Sequence, residues 1–98
     1  MDKKLEAEWI SALKSGKYKQ GKGHLQKNGR YCCLGVLRSL LPKKVQSIRN
    51  RSDEFAGLLS KEQQKFVGLT KRQQYILAKM NDEGRSFEQI ANYISSRI

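Results

Sequence analysis

The chain alternates between stretches with helical hydrophobic spacing and one stretch with almost no spacing at all. Over residues 3–15, Leu5, Trp9, Ile10 and Leu13 recur at i, i+4, i+5 and i+8, which places them on one face of a helix. Gly16 follows the last apolar position and is expected to end it. The pattern then breaks down in GKYKQGKGHLQKNGRYCC, where Gly16, Gly21 and Gly23 crowd together and disfavour a continued helix. Asn28-Gly29 lies between HLQK and RYCC and predicts a short β-hairpin, because both residues tolerate the positive φ of a two-residue turn. The apolar run CCLGVLRSLL predicts a buried helix over 32–41, stopped at Pro42. Between 43 and 58 the pattern is weak: Val45, Ile48 and Phe55 suggest a short helix and then a loop.

The last forty residues are punctuated three times in the same way. Ser60 with Gln63, Thr70 with Gln73 and Ser86 with Gln89 are capping boxes, in which hydroxyl and amide each satisfy a backbone N–H of the first helical turn. They predict helices over 60–67, 71–80 and 87–96, separated by Gly68 and by a turn at Asn81-Asp82-Glu83-Gly84. Phe87, Ile90, Ala91 and Ile94 form the apolar face of the last. The expected fold class is α+β: a small, mostly helical single domain with one short β-hairpin, a basic helix-hairpin-helix part (1–52) followed by a helical part (53–98).

Charge changes this picture by its position. The net charge is +11. Between Trp9 and Ser52 there are Lys14, Lys17, Lys19, Lys22, Lys27, Arg30, Arg38, Lys43, Lys44, Arg49 and Arg51, and no acid. The other basic residues are balanced by the acids. Such a block repels itself unless the fold spreads it or an anion neutralises it. The glycine-lysine segment has neither P-loop nor dinucleotide spacing. Its glycines nevertheless let backbone N–H groups approach an anion, its cations add charge, and Tyr18 and Tyr31 are placed to stack on a base. The candidate ligand-binding residues are Lys17, Tyr18, Lys19, Lys22, His24, Lys27 and Arg30.

Other chemistry is poorly supplied. Cys32 and Cys33 are adjacent, cannot form an unstrained disulfide, and open an apolar run, so they are expected to be buried structural thiols. With His24 they are the only candidate nucleophile–base pair and the only soft metal ligands, and no zinc-type spacing exists. Neither an enzyme, nor a metal site, nor a cofactor is expected. No apolar run is long enough to span a bilayer, and MDKKLEAEWI does not read as a secretory leader, so a cytoplasmic protein is expected.

Two resemblances add to this. Residues 69–95, with Leu69-Thr70, a helix, a glycine turn and Ile90-Ala91, resemble the first two helices of response-regulator-type helix-turn-helix DNA-binding domains. No recognition helix is expected to follow, since the sequence stops at Ile98, so Phe87, Ile90, Ala91 and Ile94 are expected to pack rather than read DNA. A neighbour or a second copy is expected to cover them, giving a homo-oligomer. Across most of the chain, Trp9…Leu13-Lys14-Ser15-Gly16-Lys17-Tyr18-Lys19-Gln20-Gly21-Lys22-Gly23, then Gly29-Arg30-Tyr31-Cys32-Cys33-Leu34-Gly35-Val36-Leu37, then Leu77…Asn81-Asp82-Glu83-Gly84-Arg85-Ser86-Phe87-Glu88-Gln89-Ile90-Ala91, resemble a family of small accessory proteins of tailed bacteriophages. That resemblance implies action in the host cell on host defence. Two functions follow as expectations: a non-enzymatic binder of a phosphate-bearing ligand such as a nucleotide immune signal, or a nucleic-acid-binding protein or anti-CRISPR-like inhibitor of a nucleic-acid-processing host complex.

Overall fold

The computed structural model describes residues 1–48 and 57–98. The fold is α+β and mostly helical, with helices α1 (Lys3–Lys14), α2 (Cys33–Ser39), α3 (Lys43–Gln46), α4 (Lys61–Val67), α5 (Lys71–Asp82) and α6 (Phe87–Arg97). Among the described residues, three two-residue strands, β1 (Lys19–Gln20), β2 (Gln26–Lys27) and β3 (Arg30–Tyr31), accompany them.

Local chemistry sets most of these boundaries. The Asp2 carboxylate accepts from the Leu5 N–H at 2.9 Å and opens α1. Gly16, at φ +76°, follows its end in a conformation that side chains resist. All three expected capping boxes are formed, at the starts of α4, α5 and α6. Asn28 (φ 54°) and Gly29 (φ 77°) make the tight turn between β2 and β3. The short helix after Pro42 is α3; Phe55 lies outside the described residues.

The structure departs from expectation in three places. The buried helix is shorter than 32–41: Cys32 is its N-cap, and Leu40 and Leu41 leave it before Pro42. The hairpin gains a third strand, because β1 pairs parallel with β3, giving the order β1-β3-β2. Asn81 and Asp82 are not turn residues: α5 runs through Asp82, and Gly84 (φ +95°) supplies the reversal. Asn81 stays helical because its amide is fully buried and hydrogen-bonded from inside the fold.

Helix α2 lies at the centre, with Cys33 through Leu37 all buried. Helix α1 packs on it and along α6, and α5 covers its other side. The Trp9 indole N–H donates to the Cys33 carbonyl at 2.9 Å, joining α1 to α2 inside the core. Phe87, Ile90, Ala91 and Ile94 are buried within the chain, so the face expected to need a second copy is already covered and no longer argues for assembly. Among the described residues no helix is long and apolar enough to cross a membrane.

Candidate anion-binding site

Strand pairing decides where the basic residues point. Residues directly opposite one another on neighbouring strands share a face of the sheet, and successive residues alternate between faces. Lys19 is paired with Arg30, and Arg30 with Lys27. The three cations therefore form one row across all three strands, and all three are exposed. With strands about 4.8 Å apart, the row spans roughly 10 Å. Like charges directly opposite one another destabilise a sheet. The described residues place no carboxylate in ion-pair distance of Lys19, Lys27 or Arg30.

Beside the row is a hollow of about 420 Å³ lined by Gly21, Lys22, His24, Lys27, Asn28 and Arg30. Four of the candidate residues thus meet in one place, and Lys19 stands in the row that borders it. Gly21 is needed there: a methyl group at that position would come within 2.8 Å of the Arg30 Cβ, so glycine lets the Arg30 side chain cross it. Arg30 is steadied by donating from Nη1 to the Gln20 carbonyl at 3.3 Å.

Lys17 and Tyr18 do not join this group. They line a separate hollow with Ser11 and Ser15, on the side of α1 and Leu40. Tyr31 belongs to the other cross-strand row, with Gln20 and Gln26, and so faces away from the cations. Tyr18 meets Tyr31 edge to face, with centroids 5.1 Å apart, and its hydroxyl lies 3.1 Å from the Ser39 hydroxyl. The expected stacking platform is therefore a packing contact. The expected backbone cradle is also absent at Gly21 and Gly23, whose N–H groups donate to the Tyr31 carbonyl (2.7 Å) and the Asp82 carboxylate (3.0 Å). Attraction for an anion comes from side-chain charge.

Sequence reasoning missed the residues that hold the site in place. The Asn81 Oδ1 accepts from Gln20 Nε2 (3.0 Å) and from the Cys33 N–H (3.2 Å), while its Nδ2 donates to the Gly21 carbonyl (2.7 Å). Gln20 Nε2 also donates to the Arg85 carbonyl at 2.7 Å. The end of α5 thus pins the β1–β2 loop against the N-terminus of α2. Asn81 and Asp82 read locally as turn formers, and only their distant partners reveal this role.

The thiols lie elsewhere. Cys32 and Cys33 are free and buried, and Cys33 Sγ donates to the Leu77 carbonyl at 3.5 Å. Burial pushes both thiols up from their ordinary pKa, Cys33 furthest, with the neighbouring Cys32 adding to it. His24 is in the surface hollow, not in the core with them. Among the described residues no three His, Cys, Asp or Glu side chains are grouped to hold a metal ion.

No curated protein and no solved structure matches the chain. A family described as a domain of unknown function, DUF8296, matches residues 1–58, which carry α1 to α3, the three-stranded sheet and every residue of the cation row. The chain is a member of that DUF8296 family.

Proposed function

We propose that the protein is a non-catalytic binder of a phosphate-bearing ligand, held at the Lys19–Arg30–Lys27 row and the adjoining Lys22–His24 hollow. The observation that carries this is the row itself. Three like charges are aligned by strand register, with no described carboxylate in ion-pair distance of them. Their repulsion is relieved when an anion lies across them, so binding returns energy that folding leaves unclaimed. The buried, high-pKa thiols support a binding role over a nucleophilic one, since the thiolate is the reactive form. The resemblance to small phage accessory proteins supports a reading in which this binding takes place in the host cytoplasm and sequesters a nucleotide signal of host defence.

Calorimetry with a nucleoside triphosphate at fixed salt tests it, comparing wild type with the Lys19→Glu/Lys27→Glu/Arg30→Glu variant. These side chains are exposed, so circular dichroism should show an intact fold. Saturable, stoichiometric binding in the wild type and a loss of at least about tenfold in the variant are expected. Equal affinity in a folded variant removes the proposal. A steep log-linear loss of affinity with salt on oligonucleotides, with no binding of the triphosphate, would instead assign a nucleic-acid ligand.

A further inference from the structure

We infer that the site reads the phosphate chain of its ligand and leaves the base unread; this rests on the function proposed above and names the ligand's chemistry. The argument is the two-sidedness of the sheet. One cross-strand row is Lys19–Arg30–Lys27, and the next is Gln20–Tyr31–Gln26. Successive residues point to opposite faces, so a ligand on the cations has the Tyr31 ring behind the sheet.

Tyr18 is held there too, edge-on to Tyr31 and bonded to Ser39. Among the described residues no Tyr, Phe or Trp lines the hollow. What does line it is charge and polarity: Lys22, Lys27, Arg30, His24 and the Asn28 amide. The Gly21 and Gly23 N–H groups are already engaged within the fold, so they are not offered to a base edge either. Side-chain cations distributed over roughly 10 Å suit several linked phosphates better than a single one.

The prediction is therefore a ranking by phosphate number and a tie across bases. Stacking a base on an aromatic ring raises affinity about 5- to 150-fold, so its absence is measurable. Competition calorimetry on the full chain would use orthophosphate, pyrophosphate, tripolyphosphate and the triphosphates of adenosine, guanosine, cytidine and uridine. Affinity should rise with each added phosphate. The four nucleotides and tripolyphosphate should agree within about fivefold. In Lys27→Glu the rise with phosphate number should flatten, with the fold unchanged by circular dichroism.

A preference of more than about tenfold for one base overturns the inference but leaves the binding function standing. So does binding of a nucleoside without phosphate, or a short oligothymidylate that displaces tripolyphosphate at equal phosphate concentration. If none of these anions binds, the function proposed above falls with it.

Discussion

The Asn81 amide is enclosed completely and holds together β1, the β1–β2 loop and the start of α2. The bond from the Cys33 N–H is buried and has no water to fall back on, and those to Gln20 and Gly21 are part-buried, so removing the amide leaves the Cys33 N–H unsatisfied rather than solvated. Asn81→Ala is expected to lower stability by about 3 kcal/mol, read as a lower urea midpoint at constant slope. Asn81→Asp should fall between alanine and wild type, because a carboxylate still accepts from Gln20 and the Cys33 N–H but cannot donate to the Gly21 carbonyl. A variant as stable as the wild type would mean that the loop is held by other contacts. Nothing near Asn81 in sequence announces this role. The residue before Asp82-Glu83-Gly84 looks like turn chemistry, and its partner at Cys33 is 48 positions away. By contrast, the burial of Cys32 and Cys33 was legible, since they open an apolar run.

Elements were legible where their signals were local. A capping box needs only two residues three apart, and all three were formed. Asn28-Gly29 likewise identified its hairpin. Strand β1 was not legible, because Lys19 and Gln20 carry no apolar alternation and find their pairing only through β3. That missed strand is what converts scattered lysines into a row. Helix α2 shows the same limit at Gly35. In a helix interior glycine costs about 1 kcal/mol relative to alanine, so propensity alone favours replacing it. Here a methyl group on Gly35 would overlap the Leu25 carbonyl, because the chain entering the hairpin lies directly on α2. The Cys32 N–H donates to that same carbonyl at 3.3 Å, and so the two backbones cannot part without losing the bond. Gly35→Ala is therefore expected to destabilise by about 2 kcal/mol despite its better propensity, lowering the melting temperature by on the order of 10 °C. A rise in melting temperature would show that the hairpin yields freely.

At the scale of the molecule, the family match and the core have different extents. DUF8296 covers residues 1–58, yet the helices that bury its apolar faces lie beyond residue 58. Helix α6 packs along α1, and α5 covers α2. Leu77, Ile90 and Ile94 from this second part are as fully enclosed as Trp9, Leu34 and Leu37 from the first. Cutting the chain at 58 would uncover Trp9 and the centre of α2, and a chain that short has little surface to bury in compensation. It would also remove Asn81 and Asp82, which tie down Gly21 and Gly23 at the edge of the cation hollow. Residues 1–58 alone are thus expected to lack a cooperative thermal transition and to show collapsed amide dispersion by NMR. Mixing in a peptide of residues 59–98 should restore both, because the missing contacts are interfacial and need no covalent link. The same mixture should regain phosphate affinity in step with dispersion, since the cation row is contained in the first piece and its support in the second. A well-dispersed spectrum from residues 1–58 alone would show that the matched region folds without its cover. The C-terminal helices would then be an addition to the site rather than part of its foundation.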